Sequence, residues 1–224
     1  ASTVMDFTSI TVVCESGGAT FGGKDAKFHW TDTNKDKLHF LEYKVEIKDG
    51  SANLMRTEST KDAFYVYTYE KNKEDYESYH ASEGANRSIE ITVTVIAALD
   101  VTGGKYEGPT SSVSVSNPAP AAVGSLVVSP GYGVIYVGGT NPTDLDFTRF
   151  GIYIAQVSGF TAGPSSFLGY ADHLPISIAA DSNGDNLNSG ETYYIRIESY
   201  DEFGAGGTLM GATTSSASTR PAQL

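Results

Sequence analysis

The sequence predicts an all-β chain made of two consecutive β-sandwiches. Three observations predict it. Apolar and polar residues alternate along many short segments, the pattern of antiparallel strands with one wet face. Residues Trp30–Ile47 align with Val137–Ile154 without a gap: Thr-Asn, Leu and Phe coincide, and Tyr43, Val45 and Ile47 fall on Phe150, Ile152 and Ile154. Between the copies, Ser116-Asn117-Pro118-Ala119-Pro120-Ala121-Ala122 holds two prolines within three residues. Such a stretch cannot join a central strand and favours an extended linker. The domains are therefore expected at 1–117 and 118–224.

The elements follow in order. A first strand ends at Cys14, which is expected to be a small buried residue rather than a reactive thiol. In Phe28-His29-Trp30 the aromatics take one face and His29 the wet one. Tyr43, Val45 and Ile47 alternate with Lys44 and Glu46. In Phe64-Tyr65-Val66-Tyr67-Thr68-Tyr69, a strand places Phe64, Val66 and Thr68 on one face and three tyrosines on the other. Glu70–Glu83 is charged and lacks a good apolar stripe, so it reads as a loop with at most one helical turn. The whole of 62–85 is a Tyr-rich insertion. Ile89, Ile91, Val93 and Val95 then alternate with Glu90, Thr92 and Thr94, and Val113 and Val115 with serines. In the second copy, Ile195 and Ile197 alternate with Arg196 and Glu198, which are expected on a wet face. Ile96–Asp100 parallels Ile197–Asp201. The expected cores are Trp30, Tyr43, Val45, Ile91 and Val93, and Phe150, Ile152, Tyr193, Ile195 and Ile197.

Charge narrows the function classes. The 224 residues carry 27 acidic and 15 basic side chains, a net charge of -12. Residues 1–117 hold 18 acidic and 12 basic residues, and 118–224 hold 9 and 3, with no lysine. This argues against nucleic acid, whose phosphates need a Lys/Arg surface, and against anionic lipid. Apolar runs fall far short of the ~20 residues of a membrane helix. One cysteine excludes an internal disulfide and a Cys-based zinc site. The chain begins at Ala1, so an upstream segment is expected to have been removed or left out.

The residues then carry a resemblance. Trp30, the Tyr43-Lys44-Val45 and Phe150-Gly151-Ile152 patterns, and Gly190-Glu191-Thr192-Tyr193-Tyr194-Ile195-Arg196-Ile197 are similar to the fibronectin type III domain, an immunoglobulin-like seven-stranded sandwich. Tyr193 matches the corner tyrosine, whose hydroxyl bonds the upstream backbone at the crossing between the fifth and sixth strands. The first copy departs there: no Tyr lies near Ser88–Thr92, so its crossing must be held otherwise. The second copy departs at Val137, in place of Trp. Asn141–Tyr153 and Asp201-Glu202-Phe203-Gly204 further resemble fibronectin modules of tailed-phage tail-tip (central fibre, host-specificity) proteins.

Chemistry-bearing patterns are sparse. His29, His39, His80 and His173 are scattered, with His39 in a corner and His80 and His173 in loops, and no HExxH spacing occurs. Asp181–Glu191 begins like an EF-hand, but Asn186 replaces the sixth-place glycine and Thr192 the twelfth-place Glu, so it reads as a loop of turn formers. The acid pairs Asp144/Asp146 and Glu74/Asp75 read as solvated corner or loop residues. No GxSxG elbow, P-loop or dinucleotide fingerprint is present. No catalytic residue, cofactor or metal ligand is assigned.

The candidate interaction surface is Tyr65, Tyr67, Tyr69, Tyr76 and Tyr79, because tyrosine gives large contact area with a polar tip suited to protein or sugar. The alternative is that the insertion folds over these rings and buries them. The resemblance implies a non-enzymatic structural and interaction segment of a phage tail tip or comparable extracellular assembly. Its partners would be other subunits, copies of itself included, or cell-surface glycan, on a virion tail or cell surface. The other readings are an adhesion module for glycan or protein, and an accessory domain of a secreted polysaccharide-degrading enzyme. Ser218-Thr219-Arg220-Pro221-Ala222 resembles the first seam, so membership of a longer array or larger assembly is expected.

Overall fold

The computed structural model describes residues 6–31, 33–99 and 103–203, and the backbone of 213–218. It divides into two units, Ala1–Pro118 and Ala119–Leu224. The first runs β1 (Val12–Cys14), β2 (Ala26–Trp30), β3 (Phe40–Asp49), β4 (Leu54–Thr60), β5 (Phe64–Tyr67), α1 (Tyr69–His80), β6 (Ser88–Leu99) and β7 (Gly104–Ser116). Its sheets have the orders β1-β2-β5 and β4-β3-β6-β7, all antiparallel. The second runs β8 (Gly124–Pro130), β9 (Ile135–Thr140), β10 (Phe147–Ala155), β11 (Phe167–Ala171), β12 (Ile176–Ile178), β13 (Thr192–Asp201) and β14 (Thr213–Ser218). Its orders are β12-β9-β8 and β11-β10-β13-β14. Strand for strand these are the same three-on-four sandwich, of fibronectin type III-like arrangement.

Alternation explains each core. Phe28 and Trp30 of one sheet and Tyr43, Val45, Ile47, Ile91 and Val93 of the other are all buried, and His29 between the two aromatics is exposed. The Trp30 ring meets Tyr43 edge-on at 5.3 Å, a favoured aromatic geometry. Cys14 is buried. In the second unit Phe150, Ile152, Tyr193, Ile195 and Ile197 are buried with Ile135, Val137 and Ile178. Tyr43 and Phe150, aligned in sequence, sit at equivalent places on the third strands.

Glu70–Glu83 corrects the loop reading: Tyr69–His80 is a three-turn α-helix. Thr68 caps it, accepting from the Lys71 backbone N–H, and Ala81 closes it in the left-handed conformation at φ 50°. The helix has little apolar stripe because its inward residues, Asn72 and Asp75, are polar. They sit three apart, on one face, and dock by hydrogen bonds instead of apolar contact.

Asn72 is also what holds the first unit's crossing. Its Nδ2 donates to the Asn86 carbonyl at 2.8 Å, and its Oδ1 accepts from the Asn86 N–H at 2.7 Å. In the second unit the Tyr193 hydroxyl accepts from the Asn188 N–H at 2.9 Å. The corner tyrosine thus bonds upstream backbone, as the resemblance implies.

Candidate functional site

The tyrosine row faces the opposite way from the expectation. β5 pairs with β2 so that Tyr65 lies across from Phe28 and Tyr67 across from Ala26, whereas Phe64 lies across from His29 and Val66 from Lys27. Cross-strand partners share a face. Tyr65 and Tyr67 therefore turn inward with the Phe28–Trp30 side and are 7% and 1% exposed, while Phe64 is 58% exposed. Tyr69 and Tyr76 are half-buried, and Tyr79 is exposed.

The inward turn is stabilised by a charged clasp between β4, β5 and α1. The Arg56 guanidinium grips Asp75 in a fork, Nε to Oδ2 and Nη2 to Oδ1, both 2.8 Å. It also donates to Glu58 at 2.8 Å and Glu74 at 2.7 Å. The Tyr67 hydroxyl donates to Asp75 at 2.7 Å, and Tyr65 to Glu58 at 3.0 Å. Lys71 Nζ donates to Glu58 at 2.8 Å and lies 4.9 Å from the centre of the Tyr65 ring. Burial raises the Glu58 pKa, but donation from Lys71, Arg56 and Tyr65 outweighs it and holds the group down at about 2. Burial, then the adjoining carboxylates, push both tyrosines up. Charge-assisted hydrogen bonds consume the clasp internally. Glu74/Asp75 is accordingly no solvated loop pair: both lie on a helix and Asp75 is buried. The other acid pair is likewise engaged: Asp144 accepts from the Ala121 N–H at 2.9 Å, and Asp146 is buried.

The histidines do not converge. His80 ends α1 rather than lying in a loop, 3.4 Å from Asp49 and stacked near Tyr76 and Tyr79. Asp181 spends its Oδ1 on the N–H groups of Asn183 and Asp185, the internal bonding of an Asx turn. Among the described residues no three His, Cys, Asp or Glu side chains group as metal ligands, and no helix is long and apolar enough to cross a membrane.

A second aromatic assembly lies on the outward face of β10, β11 and β13, where sequence reasoning placed nothing. Glu198, expected to be wet, is fully buried there. It lies opposite Gly151 in the β10–β13 pairing. Arg196 Nε donates to its Oε1 at 3.0 Å, and the Tyr200 hydroxyl reaches its Oε2 at 3.3 Å. Tyr153 and Tyr200 share a 2.8 Å hydroxyl contact, and burial raises both their pKa values. Phe167 contacts Tyr153 and Tyr170, and Tyr170 contacts Tyr200 edge-on. Gly151 makes room: a Cβ there would meet the Tyr200 ring at 2.7 Å. The signal available in the sequence was a glycine in mid-strand, which marks close approach by another group.

No protein-family model and no curated protein matches this chain. Among solved structures it is similar to the FN1–FN3 domains of chicken CNTN1, at 12% identity and TM-score 0.38, over 91% of this chain and 64% of that one. It is similar to a two-domain fibronectin type III segment of chicken tenascin, at 12% identity and TM-score 0.36, over 93% of this chain and 97% of that one. It is also similar to the spore cortex lytic enzyme SleM of Clostridium perfringens, at 17% identity and TM-score 0.35, over 55% of this chain and 36% of that one.

Proposed function

We propose that the chain is a non-catalytic structural and interaction segment of an extracellular assembly and, more finely, of a phage tail tip. The observation that carries the coarser reading is the repetition of one sandwich across a Pro-containing seam, with the charged clasp around Arg56 spent internally. Every carboxylate that Arg56 touches is held as a hydrogen-bond acceptor within the fold. A general acid or base needs instead a free group within reach of substrate. The finer reading rests on the resemblance of Asn141–Tyr153 and Asp201–Gly204 to tail-tip modules.

The test is mass spectrometry of purified particles and secreted assemblies from the source material, read with the length of the parent gene. Peptides of both units should copurify with one assembly at a fixed stoichiometry. Recovery only as a free monomer would contradict the assembly reading. Recovery in a cell-surface fibre would support the coarser reading and overturn the tail-tip one.

A further inference from the structure

We propose that the outward face of the second unit's four-stranded sheet binds a carboxylate-bearing sugar, with Arg149 taking the carboxylate and Tyr170 stacking on the sugar ring. This goes beyond the assembly reading and does not depend on it. The alternation of β10 points Phe150 and Ile152 into the core, so Arg149 and Gly151 face outward. β11 places Tyr170 directly opposite Gly151. The Arg149 guanidinium lies 3.9 Å from the centre of the Tyr170 ring.

Arg149 is unusual in its freedom. Arg56 and Arg196 donate to carboxylates and Arg87 to Asn117. Arg149 is exposed, and the one partner of its guanidinium among the described residues is the Tyr170 ring. It is an unpaired cation in a chain of net charge -12, in a half that has three basic residues. Its N–H groups form a planar fork that matches a carboxylate, and contact with an aromatic face leaves that fork available.

The ring beneath it is prepared. Tyr170 is 53% exposed, with the Arg149 guanidinium over one face of its ring. Its other contacts fix it: Phe167 at 4.9 Å and 64°, and Tyr200 at 5.9 Å and 90°. Tyr200 is in turn held by Tyr153 and Glu198. The Glu198 charge beneath is countered by Arg196, so it does not repel an anion by itself. A side chain locked by packing loses little entropy on binding.

Size and charge select the ligand. A stable protein interface covers about 800 Å² on each partner. This patch offers one exposed tyrosine, a half-buried Phe167 and one guanidinium. That matches one or two sugar rings, whose C–H faces lie flat on an aromatic while a ring carboxylate meets the fork.

The test titrates the full chain, by amide NMR, with sialyllactose, trigalacturonate, neutral lactose and a short peptide bearing a free C-terminal carboxylate. An acidic sugar should bind with Kd on the order of 1 mM, about tenfold tighter than lactose, with shifts centred on Arg149, Phe167 and Tyr170. Arg149→Met should remove that tenfold preference, and Tyr170→Ala should abolish binding of acidic and neutral sugars alike. Unchanged spectra elsewhere will show that each variant is folded. Equal binding of acidic and neutral sugars, shifts confined to another face, or no effect of Arg149→Met would overturn the proposal. Tighter binding of the peptide than of either acidic sugar would overturn it in favour of a protein partner.

Discussion

The two units make the same crossing, from fifth to sixth strand, with different chemistry. The second uses a loop and a strand residue, Tyr193, whose hydroxyl accepts one backbone N–H. The first inserts a helix and uses Asn72, whose amide satisfies both backbone groups of Asn86. The fold requires that backbone groups at the crossing find partners; it does not require a tyrosine. The choice has consequences. The helix that carries Asn72 also carries Asp75 to Arg56, and so turns Tyr65 and Tyr67 into internal supports. The outward sheet faces diverge as well. Lys44 stands where the second unit has Gly151 and joins a ladder of ion pairs with Glu46 and Glu107. Gly151 instead leaves space that aromatic rings and Glu198 fill.

The comparison breaks most visibly at the clasp. Arg56→Ala leaves buried Asp75 without its fork and should destabilise the first unit by ~3–5 kcal/mol, the cost of stranding a buried charge. Chemical denaturation followed by signals from each unit separately should show the second unit's transition unmoved. The clasp should also be acid-sensitive. Folded Glu58 has a pKa of about 2 against an ordinary 4.5, so on acidification the unfolded chain takes up the proton first. Its contribution, on the order of 2 kcal/mol, is full above about pH 4.5 and is lost as the pH falls toward 2. Glu58→Gln should remove that part of the first unit's pH dependence in a denaturation series.

Smaller effects sharpen the contrast. Gly151→Ala forces a Cβ against Tyr200 and should cost ~1–3 kcal/mol by overpacking, whereas Lys44→Ala, on the ion-pair ladder, should cost under ~1 kcal/mol. Equal costs would mean the two faces are built alike. At the crossings, Asn72→Ala strands two backbone groups and should cost ~1–3 kcal/mol, and Tyr193→Phe, losing one bond, ~0.5–1.5 kcal/mol. Calorimetric melting of the variants checks both.

The strands and cores were legible because alternation and the gapless repeat report which face each residue takes. Tyr193 was legible for the same reason, as a tyrosine after Gly190 at a strand entry. Three features were not, and each depends on a distant partner. In Phe64–Tyr67 either face is aromatic, so alternation cannot choose; Glu58 and Asp75 choose, by accepting from the Tyr65 and Tyr67 hydroxyls. The helix was hidden because its buried residues, Asn72 and Asp75, are polar, although Thr68 as a cap and their spacing of three were available signals. Glu198 was hidden because a charged residue in alternation reads as wet. Its burial depends on Gly151 across the strand and on Tyr153 and Tyr200 beside it.

The central claim is that Tyr65 and Tyr67 of the first unit are internal supports, while the second unit presents an exposed tyrosine at Tyr170. Nitration of native tyrosines, mapped residue by residue by mass spectrometry, tests it directly. Tyr170 and Tyr79 should react early, and Tyr65, Tyr67, Tyr153 and Tyr200 only once the chain unfolds. Modification of Tyr65 and Tyr67 as fast as Tyr79 in the folded protein, with Tyr170 protected, would contradict the account.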